Sequence, residues 1–282
     1  MTNVFNGDDL PPLREVIKAN DLAAKKSLGQ NFLLDLNLTR KIVRCAGKLD
    51  NTTIFEVGPG PGGLTRAILE SPASKLIALE KDQRCVSALQ PVVQMAKGRL
   101  DLIEADALTA DLVDLSSAPR AIIANLPYNI ATPLLINWLQ SANEFTSMTL
   151  MFQKEVAERI CAQPKNKTYG RLAVICQWLC QTDIAFDLPP SAFTPPPKVT
   201  SSIVRLRPKN ITFTAKEFKL MERITAAAFG QRRKMLRTSL KSLGIDVEET
   251  LKTIDIPATA RAEEIPVEGY IKLMNFMMIS GL

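Results

Sequence analysis

The chain has 282 residues, 46% of them hydrophobic and 23% charged, with a mean hydropathy of +0.04; this excludes a disordered, collagenous or disulfide-stapled protein and fits one large domain or a large one with a small companion. Thirty-five Lys and Arg against 29 Asp and Glu give a formal charge of +6, which favours an anionic partner such as nucleic acid without specifying it. Histidine is absent, which removes Ser-His-Asp and Cys-His chemistry, histidine general bases and most catalytic zinc sites together.

In chain order, residues 1–21 carry no motif and are expected to tolerate disorder. Asp8, Asp9 and Pro11-Pro12 leave no apolar signal-peptide core, and no stretch approaches the roughly 18 apolar residues of a membrane span, so a cytoplasmic protein is expected. The basic stretch at Lys25 and Lys26 leads to an amphipathic helix near Asp35 to Cys45. Strands are predicted at TTIFEV from Thr52, KLIALE from Lys75, LDLIEA from Leu100, AIIAN from Ala121, SMTLMF from Ser147, TDIAFDL from Thr182 and SSIVRLR from Ser201. Such short aliphatic and β-branched runs, with helix-length spacers, signal a parallel α/β sheet with βαβ crossovers. Between the last two runs, SAFTPPPKVTSS from Ser191 carries three consecutive prolines and predicts a stiff, extended loop. Beyond Pro208 helical periodicity takes over, giving domains at 1–209 and 210–282. Cys45, Cys85, Cys161, Cys176 and Cys180 are odd in number, mostly in apolar segments and without a Cys-x-x-Cys pair, so reduced core thiols and no metal are expected.

The first strand runs into EVGPGPGGLT, Glu56 to Thr65, whose glycines allow a sharp turn and close approach of a ligand to the following helix. Gly58, Gly60 and Gly63 satisfy G-x-G-x-x-G, so a dinucleotide-binding Rossmann domain and other nucleotide readings stay open. Glu80 ends the second strand, where its carboxylate accepts ribose hydroxyls or simply caps the strand in solvent. Asp106 follows the third strand and either accepts from the amine of an adenine or is a helix N-cap. The fourth ends in Asn125-Leu126-Pro127-Tyr128, which chemistry on a base amine can use. The Asn125 side-chain oxygen and a backbone carbonyl accept from two N–H bonds, Pro127 fixes the turn, and Tyr128 offers a stacking face.

In FGQRRKMLRTSLK, Phe229, Leu236, Leu240 and Leu243 share a predicted helical face beside Arg233, Arg237 and Lys241 at i, i+4 and i+8. With Arg232 and Lys234 this segment holds five basic and no acidic residues, whereas residues 245–269 hold seven acidic and two basic. The stripe suits phosphate contacts; the alternative is a solvated helix face.

Taken in order, KKSLGQNFL, EVGPGPGGLT, ALEKD, EADAL, NLPYNIATPLL, FTPPPKVTSSIVRL and FGQRRKMLRTSLK, across residues 25 to 241, resemble the ribosomal RNA adenine dimethyltransferases, the small-subunit branch above all. The resemblance implies a seven-stranded, Rossmann-like class I S-adenosylmethionine-dependent methyltransferase core with a small all-α C-terminal domain. It implies N6,N6-dimethylation of two adjacent adenosines near the 3′ end of small-subunit ribosomal RNA, on an assembling subunit; a monomer that uses neither metal nor membrane is expected beside it. It also implies roles for residues. Asn31 and Leu33, with Gln30 nearby, contact the cofactor, Gly58 lines its methionine end, Glu80 takes the ribose, Asp106 the adenine amine, and Asn125 lies between cofactor and target base. Asn125, Leu126, Pro127 and Tyr128 carry catalysis with Phe193, which stacks on the target adenine opposite Tyr128 or is otherwise a core aromatic. Arg232, Arg233, Lys234, Arg237 and Lys241 hold RNA. A ribosome-assembly factor with secondary catalysis is one alternative. A large-subunit adenine methylase of the antibiotic-resistance type is another, opposed by the C-terminal signature, and a nicotinamide enzyme is a distant third. Pro61-Gly62-Gly63 departs from the family loop and leaves its geometry open.

Overall fold

A computed structural model describes residues 5–22 and 30–281; Met1 to Val4 and the basic pair Lys25 and Lys26 lie outside the described residues. The chain forms two compact units, Met1–Lys154 with Asp183–Pro208, and Glu155–Thr182 with Lys209–Leu282.

The first unit is built on a seven-stranded sheet in the order β4-β3-β2-β5-β6-β9-β7. Its strands are β2 (Thr53–Val57), β3 (Lys75–Glu80), β4 (Leu100–Glu104), β5 (Arg120–Asn125), β6 (Ser147–Gln153), β7 (Cys180–Leu188) and β9 (Ser201–Pro208), matching the seven predicted runs. The central strands are apolar on both faces, as helix-covered parallel strands must be: Ile54, Phe55, Ala78, Ile122 and Ile123 are all buried. On one face Ile54, Leu76 and Ile123 share a cluster with Ile42 and Val43 of α2 (Leu36–Cys45) and Ile68 of α3 (Gly63–Leu69). Asp35 caps α2 by accepting from the amides of Asn37 and Leu38.

The sheet is mixed rather than parallel throughout. β2, β3, β4, β5 and β6 pair in parallel, but β9 lies antiparallel to β6. Residues 189–200, between β7 and β9, contain no α-helix, and without a crossover helix the chain turns back directly. Two residues of that loop, β8 (Phe193–Thr194), pair antiparallel with β1 (Phe32–Leu33), Leu33 opposite Phe193. The proline-rich segment therefore also anchors the chain that enters the site.

Residues 5–22 are ordered in packing, contrary to expectation. Phe5, Leu10 and Leu13 are buried and α1 spans Leu13–Ala19. Arg66 Nη1 donates to the carbonyls of Gly7 (3.4 Å) and Pro11 (2.9 Å), and Glu70 accepts from the Gly7 amide at 2.9 Å. Arg40 ties Glu70 (2.7 Å) to Asp8 (3.0 Å). These bonds satisfy the backbone of a segment whose buried apolar side chains, Leu22 included, hold it on the core.

The second unit contains most of α7 (Lys154–Cys161), then α8 (Arg171–Leu179), α9 (Ala215–Gly230), α10 (Leu236–Ser239), α11 (Val247–Thr253) and α12 (Val267–Ile279). A division at residue 209 would leave residues 155–182 with the sheet; they pack with the C-terminal helices instead. The Tyr169 hydroxyl donates to the Ile265 carbonyl at 3.0 Å, and Trp178 meets Phe213 and Phe218 at centroid distances of 5.4 and 6.1 Å. Thr214 and Glu217 form a capping box that starts α9.

Candidate active site

A cavity of about 260 Å³ opens at the carboxyl ends of β2, β3, β4 and β5, the edge where α/β sheets hold ligands. The loop between β2 and α3 forms its floor. Gly62 has φ +92°, and a Cβ on Gly63 would lie 2.5 Å from the Leu33 carbonyl oxygen, so the unusual Pro-Gly-Gly sequence lets α3 approach β1. Gly58, Asn31 and Leu33 all line the cavity.

Three carboxylates face it. Glu80 is pinned by the main chain: Oε1 accepts from the amides of Lys81 (2.9 Å) and Asp82 (2.8 Å), and Oε2 from Gly60 (3.1 Å). A carboxylate offers about four acceptor sites, so Glu80 keeps capacity for a hydroxyl. Burial raises its pKa and these amides oppose the rise. Asp106 Oδ1 accepts from the Leu108 amide at 3.0 Å and Oδ2 from Lys81 Nζ at 2.7 Å; the ammonium holds its pKa below the usual range. The third, Glu56, is 1% exposed, its Oε2 has no hydrogen-bond partner, and burial pushes its pKa up to about 8. Glu56 was not singled out from the sequence, although an acid inside the apolar run IFEV is itself a signal.

The tetrapeptide after β5 closes the cavity. Asn125 Nδ2 donates to the Asn31 carbonyl at 3.3 Å, which orients the amide and leaves its oxygen as an acceptor. Leu126 is buried; Pro127 precedes α6 (Tyr128–Leu139) as its N-cap. Half-buried Tyr128 also lines the cavity, its hydroxyl 2.6 Å from Ser201 Oγ, and burial raises its pKa. Gln30 Nε2 reaches Asp82 Oδ2 at 3.2 Å, and Arg84 beside Asp82 holds that carboxyl near 2.

Two expectations fare differently. Phe193 is 3% exposed, shares the core cluster with Leu33 and Ile203, and does not line the cavity that Tyr128 lines. In the pairing of β8 with β1 it stands opposite Leu33, which does line the cavity. The basic stripe is not one helix. α9 ends at Gly230, Gln231 leaves helical geometry at φ −130° and ψ 68°, and the Leu236 amide donates to the Ala260 carbonyl at 2.8 Å as α10 begins. Arg233, Lys234, Arg237 and Lys241 are exposed around this turn while Leu236, Leu240 and Leu243 are buried. Arg232 donates to the Lys167 carbonyl at 2.6 Å and so braces residues 167–169.

Among the described residues no helix is long and apolar enough to cross a membrane, and no group of three His, Cys, Asp or Glu is placed to hold a metal ion. None of the five cysteines is in a disulfide, and burial pushes Cys180 up to about 12.

The family model for ribosomal RNA adenine dimethylase matches residues 21–278. A ribosomal RNA small subunit methyltransferase A of Rhodospirillum rubrum is 54% identical over 275 residues, covering 98% of this chain and 95% of that protein. Its counterpart in Xanthobacter autotrophicus is 56% identical, covering 95% of this chain and 94% of that protein. Among solved structures, a dimethyladenosine transferase from Plasmodium falciparum superposes with a TM-score of 0.76 at 25% identity, over 88% of this chain and 98% of that one. The 23S rRNA methyltransferase ErmE, at 24% identity and a TM-score of 0.68 over 87% of this chain and 98% of its own, shares the fold. A glycine-floored cavity ringed by acids and closed by Asn-Leu-Pro-Tyr, on a sheet with these relatives, leaves one assignment: the chain belongs to the ribosomal RNA adenine dimethylase family.

Proposed function

We infer that this protein uses S-adenosylmethionine to convert two adjacent adenosines near the 3′ end of small-subunit ribosomal RNA to N6,N6-dimethyladenosine. It acts in the cytoplasm, as a monomer without a metal, on an assembling subunit. The observation that carries the reading is the Asn125 amide, set by its bond to the Asn31 carbonyl so that its oxygen is the acceptor on the cavity wall.

The cavity fits the cofactor. A purine amine, a ribose diol and a positively charged amino-acid end call for acceptors and negative charge, and Asp106, Glu80 and the unpartnered oxygen of buried Glu56 supply them. When bound, S-adenosylmethionine supplies an electrophilic methyl group. Glu80 takes the diol, Asp106 the purine amine, and Gly58, Asn31 and Leu33 the remaining wall. Glu56 offers its carboxylate where a cation would restore the charge that burial suppresses.

The target adenine is a poor nucleophile because the N6 lone pair is delocalised into the ring. The Asn125 oxygen and the Leu126 carbonyl would accept its two N–H bonds and favour a pyramidal nitrogen with its lone pair free for attack. Positive charge then grows on nitrogen, where these carbonyl dipoles and the Tyr128 ring stabilise it. Pro127 fixes the turn, and the Ser201 bond fixes the Tyr128 ring. Water takes the proton, so no histidine is needed. Phe193, paired with Leu33, steadies the segment that carries Asn31. In the second unit Arg233, Lys234, Arg237 and Lys241 meet RNA phosphate, with Arg232 bracing the neighbouring turn.

The experiment is transfer of labelled methyl groups to isolated subunits that lack the modification. Label in small subunits, saturating at two methyls on each of two adenosines, is expected; label confined to large subunits would overturn the substrate assignment.

A further inference from the structure

Lys81 stands between two residues of the site and has no part in the chemistry above. Its main-chain amide binds Glu80 Oε1 at 2.9 Å, while its side chain crosses to Asp106, Nζ 2.7 Å from Oδ2. Both residues line the cavity. Each Asp106 oxygen already accepts one donor as found, Oδ1 the Leu108 amide and Oδ2 an ammonium, so a purine amine arriving at Oδ2 must share that oxygen with a cation or displace it. A charged donor at that distance is a stronger partner for a carboxylate than the neutral amine of a purine. The ammonium is also easily moved, since the Lys81 side chain is 67% exposed and the Asp106 side chain 33%.

We propose that Lys81 is a specificity-determining residue at the purine end of the cavity, an ammonium that competes with the purine amine for Oδ2 of Asp106 and must swing aside when the cofactor enters. The proposal rests on the reading that Asp106 receives that amine. Lys81 thereby lowers affinity for a ligand with a donor at the purine 6-position. It also tolerates one with an acceptor there, to which the displaced ammonium can itself donate. Discrimination between adenine and hypoxanthine is set by this pair and not by Asp106 alone.

The test is calorimetric binding of S-adenosylhomocysteine and S-inosylhomocysteine, which differ in an amine or a carbonyl at that position, to the full chain and to Lys81→Gln. The substitution keeps the main-chain amide on Glu80 and changes an exposed side chain, so folding is not at stake. Lys81→Gln should bind S-adenosylhomocysteine about two- to fivefold more tightly, the range of an exposed ion pair, and S-inosylhomocysteine no better. Added salt should tighten S-adenosylhomocysteine binding to the parent chain and not to the variant. Weaker binding of S-adenosylhomocysteine by Lys81→Gln would overturn the proposal, because Lys81 would then support Asp106 instead of competing with the ligand. Asp106→Ala keeps the two failures apart: if it leaves S-adenosylhomocysteine affinity unchanged, the assignment of Asp106 falls and the proposal with it; if affinity drops, the Lys81 result stands on its own.

Discussion

At the residue scale, buried charge is the most exacting demand this site makes on its own stability. Glu56 has its pKa raised by burial from 4.5 to about 8. The folded state therefore holds a proton that the unfolded chain releases, so this group's contribution to stability is fully present below pH 4.5 and is lost as pH rises through 8. Glu56→Gln should remove that slope: thermal unfolding of variant and parent should nearly coincide at pH 5, with the variant melting several °C higher at pH 9, and equal melting at pH 9 would contradict the burial argument. Asn125→Ala removes an acceptor needed in the transition state, so methyl transfer should fall by roughly a hundred- to a thousandfold while S-adenosylhomocysteine affinity falls less than about tenfold. A parallel loss of both would make Asn125 a binding residue only. Glu80, Asp106 and Asn125 were readable because each follows an apolar strand at the edge where a ligand must lie. Lys81 was not, because its partner is 25 residues away and only the fold brings them together.

Elements carry these residues with little latitude. All seven strands were readable from their apolar runs, and α2 from its amphipathic pattern with Asp35 ahead of it. The antiparallel setting of β9 was missed because apolar runs carry no direction; the absence of a helix in residues 189–200 was the available sign. One close fit is that of α3 against β1, where a Cβ on Gly63 would meet the Leu33 carbonyl oxygen at 2.5 Å. Gly63→Ala should therefore cost about 1–3 kcal/mol of stability and weaken cofactor binding by moving Asn31 and Leu33, read by denaturant unfolding and calorimetry on one preparation. Unchanged values in both would show that β1 yields freely and does not set the cavity wall. The broken helix at Gln231 is the opposite case. Its apolar spacing continues across the break, so periodicity alone promised one helix where a turn and a short α10 stand.

For the whole molecule, the sequence pattern separated a sheet unit from helices but could not say which helices α7 and α8 join, because amphipathic periodicity marks a buried face and not the partner that buries it. Charge distribution is the property that belongs to this scale. Neutralising Arg233, Arg237 and Lys241 together should reduce the slope of log affinity for RNA against log salt by roughly two to three, leaving S-adenosylhomocysteine binding intact. An unchanged slope would return the basic turn to ordinary solvated surface. Arg232 is kept out of that set because it braces residues 167–169. Adenine dimethylation on small-subunit RNA is the reaction assigned to the cavity closed by Asn125. Its most direct test is nucleoside mass spectrometry of small and large ribosomal subunits lacking the modification, incubated with S-adenosylmethionine and either the parent chain or Asn125→Ala. N6,N6-dimethyladenosine in the small subunit alone, and only with Asn125 present, is the predicted result; dimethyladenosine formed equally by the variant, or only in the large subunit, would contradict it.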